Sequence, residues 1–392
     1  MNRRTLIGLA LAAVLGFVLS LVAGHFNKPR TGVAGGEAET ALVPSLRDRV
    51  NDIDKVVVTG AGAKPVATLT RGANGWSIAE KNGFAVDTGK LREFLLKLAD
   101  AKLIEQKTSN KDKYATLGVE DVAGADAKGV EVELDGLDKP VKIIVGNANA
   151  HGGTFVRRAG EAESWLASGA ISVDKKVENW LRKDVADVAA NRVASVTITR
   201  PDGKVVRIAK DGEGDASFKL ADVPKGREPT SEFTINGIAG TLAGLRFDDV
   251  VPAKDAAPPE KPLDARFATF DGLVVDVVAW EKDGKNYAQL TASDDSEQAT
   301  RHAAAEQAKP KADGDDTTAK PEAPKSGADS VAAIEKEAAN LNERAKGWTF
   351  VLPAYKYANL NKSLDDLLKP PDEKKTDAKA AAKKPAPAKK GG

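Results

Sequence analysis

The three histidines are the residues best suited to metal binding or proton transfer near neutral pH, yet their spacing supports neither role. His25, His151 and His302 are far apart in sequence, so no two of them share a helix face at metal-ligand spacing. The chain has no cysteine, which excludes disulfides, thiolate metal sites, a cysteine nucleophile and a lipoprotein anchor. We therefore predict no metal site.

Paired carboxylates are the next candidates, because two fixed carboxyl groups can act as acid and base in glycoside hydrolysis. Asp248-Asp249 and Asp365-Asp366 are adjacent pairs, and neighbouring acidic residues are usually solvated surface. The chain also lacks the Gly-x-Ser-x-Gly pattern of a serine hydrolase. We predict no catalytic residues and no enzyme, and a hydrolase with unrecognised carboxylates remains the third alternative.

Two glycine-rich stretches resemble phosphate-binding loops. Gly60-Ala61-Gly62 follows an apolar run, but Pro65 takes the third glycine position and the next residues again have a strand pattern. The stretch 146–153 lacks the lysine of a P-loop. We predict turns at both places and no cofactor-binding residues or cofactors.

Composition excludes several broad classes of protein. Hydrophobic residues make up 42% and charged residues 29% of the 392, which is ordinary for a protein that folds in water. The formal net charge of +1 lacks the basic excess of a nucleic-acid binder. We therefore predict no nucleic-acid partner.

The N-terminus has the pattern of a membrane segment. Arg3 and Arg4 precede an uncharged apolar stretch at 6–23, long enough to span a bilayer, so we predict a membrane anchor over 1–27 and a linker over 28–44. Cleavage of this segment and export by a twin-arginine route are the alternatives. With the arginines inside, the C-terminal bulk is expected in the periplasm of a bacterium, attached to the cytoplasmic membrane by one pass.

An approximate internal repeat organises the remainder into modules at 45–188 and 189–370. Each begins with three short strand patterns, at 56–78 and 196–220, followed by an amphipathic helix capped by Asp87 or Ser231. We align the later strand patterns 130–134, 141–145 and 155–157 with 273–280, 287–290 and 348–351, and expect a closing helical segment at 173–184 and at 360–368. The predicted fold is α+β, with a mainly antiparallel sheet in each module.

Two segments have compositions that predict disorder. Residues 293–330 are rich in Ala, Lys, Asp, Glu and Pro and interrupt the second module, and helical spacing returns at Val331. The tail 371–392 is rich in Lys, Ala and Pro without apolar periodicity. The five tryptophans are expected mainly in the core.

The pattern resembles the bacterial family called domain of unknown function 4340. The residues that carry the resemblance are Gly75-Trp76-Ser77-Ile78, Asp87 with the helix 91–98, Tyr114 to Gly118, Val141 to Gly146, Phe155-Val156-Arg157, Trp180-Leu181-Arg182 and Val193 to Ile198. Such proteins typically carry one N-terminal membrane segment and are often encoded beside an ABC-type permease and a gliding-motility-type auxiliary protein. The resemblance implies no catalytic residues, and the insertion at 293–330 departs from the compact family pattern.

These observations together predict a non-enzymatic, single-pass, membrane-anchored periplasmic accessory or scaffold protein. Its expected partners are the cytoplasmic membrane, an ABC-type permease and auxiliary envelope proteins. The alternative is a periplasmic binding module for a glycan, lipid or cell-wall fragment.

Overall fold

Residues 40–308 and 326–370 are described by the computed structural model, and they divide into two units. Unit one contains residues 40–53, 60–63 and 93–173. Unit two contains residues 54–59, 64–92, 174–308 and 326–370. The predicted anchor, the tail and the middle of the predicted insertion lie outside the described residues. Within them, no helix has both the length and the apolar character needed to cross a bilayer.

Short strands dominate, and the helices connect them. The strands are β1 Lys55–Gly60, β2 Lys64–Gly72, β3 Gly75–Ile78, β4 Phe84–Ala85, β5 Leu103–Thr108, β6 Val130–Asp135, β7 Val141–Ala148, β8 Thr154–Arg158, β9 Ser164–Ala167, β10 Asp184–Ala186, β11 Val193–Thr199, β12 Val205–Ala209, β13 Lys219–Leu220, β14 Leu245–Arg246, β15 Asp249–Pro252, β16 Leu263–Thr269, β17 Leu273–Lys282, β18 Lys285–Asp294 and β19 Trp348–Leu352. The α-helices are α1 Leu46–Arg49, α2 Thr88–Asp100, α3 Tyr114–Leu117, α4 Glu232–Ala239, α5 Ser296–Ala308, α6 Gly327–Ala345 and α7 Ala354–Leu360. The chain is α+β with large antiparallel sheets.

Both units contain the same order of strands. In unit one the order is β6-β7-β8-β9-β5, and unit two repeats it as β16-β17-β18-β19-β15. A second order, β3-β2-β1, recurs along the chain as β13-β12-β11, and both of these sets lie in unit two apart from Gly60 at the end of β1. The equivalent of β6 is therefore β16, so the predicted alignment of 130–134 with 273–280 is displaced by one strand, and β9 is the equivalent of β19.

Side-chain alternation explains why one face of each sheet is buried. In β6 the side chains of Val130, Val132 and Leu134 are buried, while the residues between them are partly exposed. β16 repeats the alternation, with Leu263 and Phe267 buried. Period-two patterns of this kind fix the register of a strand against its core.

The two predicted helix caps are confirmed. The Asp87 carboxylate accepts a hydrogen bond from the Lys90 N–H at 3.0 Å, and the Ser231 hydroxyl accepts one from the Thr234 N–H at 3.3 Å. Helix α4 ends at Ala239, because Gly240 follows and the chain turns into a 3₁₀ helix.

Neither predicted closing helix is present over its predicted residues. In place of a helix at 173–184 there is a 3₁₀ turn at Val177–Trp180 followed by β10. In the second module, α7 ends at Leu360, the first residue of the predicted range 360–368, and the rest of that range contains the 3₁₀ turn Asp365–Leu367. Trp180, Leu181, Leu367 and Leu368 are buried all the same, because the apolar residues of both ranges pack into the core from 3₁₀ turns and extended chain.

The range predicted to be disordered, 293–330, contains regular structure at both ends. It includes the last two residues of β18, all of α5 and the start of α6. Alanine-rich sequence favours helix without large apolar side chains, and the small side chains of Ala299 and Ala303 are buried. Helix α6 then buries Ile334, Ala338 and Leu341, as their spacing predicts.

Candidate functional site

A loop and a helix of unit two bring together three side chains that can bind a metal ion. One ligand atom each from Glu213, His302 and Glu306 lies within 4.8 Å of the others. The imidazole Nε2 of His302 is 3.2 Å from a carboxylate oxygen of Glu213. We call these three residues the Glu-His-Glu cluster.

Helix α5 positions two members of the cluster. His302 and Glu306 are four residues apart, so they project from the same face of the helix. Ala299 and Ala303 of the same helix are buried and pack against the rest of unit two. The side-chain amide of Gln298 also donates to the carbonyl oxygen of Phe270 at 2.6 Å. The first two turns of α5 are therefore fixed on unit two.

The loop between β12 and β13 positions Glu213. The Asp215 carboxylate accepts hydrogen bonds from the backbone N–H groups of Asp211 and Gly212, both at 3.0 Å. This arrangement closes a tight turn that presents Glu213 outward. The side chain of Glu213 is 45% exposed and that of His302 23%, so an ion can reach the cluster from solvent.

Nothing local in the sequence could have revealed the cluster. Glu213 and His302 are 89 positions apart, and the sequence predicted disorder around His302. The structure brings His302 to carboxylates, while His151 is exposed in the β7–β8 turn and His25 lies outside the described residues.

A second feature of unit two is an open polar groove along α6, with a volume of about 560 Å³. Its charged lining residues are the cations Arg182, Lys336 and Arg344 and the carboxylates Glu337 and Glu343. The Nε atom of Arg344 is buried, and within the described residues it has no hydrogen-bond partner. Glu337 is paired with Arg192, so the three lining cations exceed the remaining lining carboxylate and favour an anionic ligand.

Comparison with known families adds one finding. Residues 76–265 match the model of a family described as Domain of unknown function (DUF4340). The chain contains a DUF4340 domain. This confirms the predicted resemblance over that range, and no curated protein or solved structure matches the chain.

Within the DUF4340 domain, Arg157 is a buried structural residue. Its guanidinium is 3% exposed and donates to the carbonyl oxygens of Val119 at 2.8 Å and Glu161 at 3.0 Å. It also pairs with the Asp121 carboxylate and lies over the Tyr114 ring, 4.7 Å from its centroid. Each of the three guanidinium nitrogens donates to a partner within the domain, so this side chain joins two loops instead of facing a ligand.

The carboxylate pairs considered from sequence do not converge. Asp249, in the DUF4340 domain, binds Lys81 at 2.5 Å, and Glu178 binds the same ammonium group at 3.2 Å. Burial lowers the pKa of Lys81, but the two carboxylates outweigh it and raise that pKa above its ordinary value. Asp366, beyond the domain, accepts hydrogen bonds from the N–H and hydroxyl of Ser363.

The glycine stretches are turns. Gly62 has a φ of +70° and its N–H donates to the carbonyl oxygen of Gly124 at 2.9 Å. No helix starts after it, since β2 begins at Lys64. In the turn 146–153, Gly152 and Gly153 have φ values of +97° and +85°.

Proposed function

We propose that the protein is a non-enzymatic, single-pass accessory or scaffold protein of the bacterial cell envelope, associated with an ABC-type transporter complex. Its bulk faces the periplasm as two tandem α+β modules behind an N-terminal anchor at 1–27. The family resemblance and the apolar stretch behind Arg3 and Arg4 support this address.

The observation that carries the proposal is an apolar surface where the chain enters unit one. The N–H of Leu103 donates to the carbonyl oxygen of Thr40 at 2.8 Å, so the chain arrives at the start of β5. Strand β5 lies at the end of the strand order, and its Ile104 side chain is 60% exposed. Leu96 of α2 is 36% exposed and lines a cavity of about 350 Å³ close to this strand. Exposed edge strands and apolar side chains are the usual elements of a protein-binding surface.

Covalent geometry keeps this surface near the membrane. Residues 28–39 separate the predicted anchor from Thr40, and twelve residues span at most about 40 Å when fully extended. A partner embedded in the same membrane is therefore within reach of Ile104. We propose that an extended segment of the permease or its auxiliary protein contacts β5.

Site-specific photo-crosslinking in intact cells tests this proposal. A photoreactive amino acid at Ile104 is expected to crosslink transporter subunits, and one at Lys204, in a turn of unit two, is the matched control. Recovery of the full chain with no transporter subunit from either position would refute the association. Mass spectrometry of the same sample shows whether residues 6–23 are retained.

The groove along α6 favours a second candidate, a periplasmic binding module for an anionic glycan or cell-wall fragment. Arg182 and Arg344 would pair with its carboxylate or phosphate groups. Purified protein with Arg182→Gln and Arg344→Gln is expected to lose binding to such fragments while it keeps its crosslinks from Ile104. Equal binding by wild type and the double variant would exclude the groove.

A further inference from the structure

We propose that the Glu-His-Glu cluster binds one divalent transition-metal ion of the zinc type. The ion would be held by Nε2 of His302 and by one carboxylate oxygen each from Glu213 and Glu306. This site goes beyond the proposed scaffold role and does not depend on it.

The spacing of the donors fits a single ion. Ligands of one tetrahedral ion at about 2.0–2.2 Å are separated from each other by less than twice that bond length. The three donor atoms already lie within 4.8 Å of one another, and two of them are 3.2 Å apart. Small rotations of the Glu213 and Glu306 carboxylates would bring all three donors to bonding distance.

The donor types select the class of ion. One imidazole nitrogen and two carboxylate oxygens suit Zn²⁺ and neighbouring first-row ions. Calcium needs six to eight oxygen ligands, which three side chains including an imidazole do not supply. The imidazole therefore separates this cluster from an ordinary group of acidic side chains.

Local charge is compatible with a cation. Asp211 and Asp215 belong to the same turn as Glu213, and Lys219 pairs with Asp211. The cluster and its turn thus carry four carboxylates, counting Glu306, against the paired Lys219 and the nearby Lys210. A bound divalent ion would offset the remaining negative charge.

A bound ion would connect two parts of unit two that are distant in sequence. It would crosslink the turn at 211–215 to the C-terminal half of α5, the half that lies beyond the buried Ala299. The expected result is a less mobile α5, since a metal that binds only the folded arrangement stabilises it.

Titration of the full-length protein in detergent with ZnCl₂ tests the site. After removal of metal with a chelator, isothermal titration is expected to show one Zn²⁺ per chain. Loss of a group that only hydrogen-bonds to a metal ligand costs about 10–100-fold in metal affinity, so loss of the ligand itself in His302→Ala should weaken zinc binding by at least about tenfold. Zinc should also slow amide hydrogen exchange in α5 and at 211–215 of the wild type but not of His302→Ala.

Two matched controls separate this site from general zinc binding. His151→Ala removes an exposed histidine of unit one, and Glu297→Gln removes an exposed carboxylate on α5 that pairs with Arg301. Both should bind zinc as the wild type does. Equal zinc affinity of wild type and His302→Ala, or no zinc binding by the wild type, overturns the proposal. If His302→Ala fails to fold, Glu213→Gln in the exposed turn replaces it, with the same expected loss.

Discussion

Replacement of Arg157 is the sharpest test of the reasoning about the DUF4340 domain. The side chain is buried and joins the backbone of Val119 to that of Glu161. In Arg157→Ala both carbonyl oxygens lose a donor, and the Tyr114 ring loses a cation on its face. We expect a large local destabilisation, because a buried polar group without a partner keeps its full desolvation cost.

The magnitude follows from these contacts. The buried Val119 carbonyl costs about 1–3 kcal/mol when it is left unsatisfied, the part-buried hydrogen bond to Glu161 contributes about 1 kcal/mol, and a desolvated cation–π contact contributes about 1–2 kcal/mol. A total of about 4 kcal/mol corresponds to a rise of roughly a thousandfold in the open population of this region. Arg157→Lys keeps the charge but not the fork, so about half of that loss is expected.

Hydrogen exchange measured by mass spectrometry resolves this region from the rest of the chain. Peptides that cover 114–123 and 157–161 should lose protection in Arg157→Ala, while peptides of unit two should not. The control is Asp121→Asn, because the Asp121 side chain is 69% exposed and its ion pair contributes less than about 1 kcal/mol. Protection in Arg157→Ala within about tenfold of wild type, or an equal loss in the control, would refute the structural role.

Three further changes test separate parts of the structure. Burial lowers the pKa of Lys356, whose ammonium donates to three backbone carbonyls, so the folded state binds fewer protons than the unfolded state just below the ordinary value of 10.5. The free energy of unfolding should therefore rise with pH in the range just below 10.5, as measured by urea midpoints. The midpoints of Lys356→Met should not rise in this range, and an equal rise in the variant and the wild type would contradict the prediction. In Gly129→Ala the new Cβ would lie 2.3 Å from the carbonyl oxygen of Gly118, so we expect the free energy of unfolding to fall by about 2–3 kcal/mol. A thermal melt should show a lower Tm, and an unchanged Tm would disprove the close approach. Glu337→Gln removes the charged partner that most raises the pKa of Arg192. We expect urea unfolding to show a loss of about 1 kcal/mol in the free energy of unfolding, and a smaller loss at high salt. A loss that does not depend on salt would indicate a packing effect instead.

Local patterns predicted most of the strands and the two main amphipathic helices. Three features depend on residues within a few positions of each other: the groups of short strands, the caps at Asp87 and Ser231, and the apolar spacing of α6. Such patterns can be recognised in a single sequence. The strand β16 shows the same alternation, with Leu263 and Phe267 buried, yet it lies outside the predicted strand patterns.

Contacts between distant positions account for what sequence could not predict. Short 3₁₀ turns replaced the closing helices because tertiary packing decided where Trp180 and Leu367 lie. The partners of His302 and Arg157 come from loops far away in the chain. A composition rule also misjudged α5, since alanine supports a helix while it adds little hydrophobicity.

The position of β19 between β18 and the last strand of the sheet, β15, has a consequence for the integrity of unit two. This strand is hydrogen-bonded to β18 on one side and to β15 on the other, and Asn342 of α6 bonds to both backbone groups of Ala292 at 2.7–2.8 Å. Each of these links joins a residue before 309 to one after 325. A chain cut by an engineered protease site within 309–325 is therefore expected to remain one particle in gel filtration. Residues from 326 onward would then act as a separate subunit, and the fragment supplied in trans should complement a truncated chain.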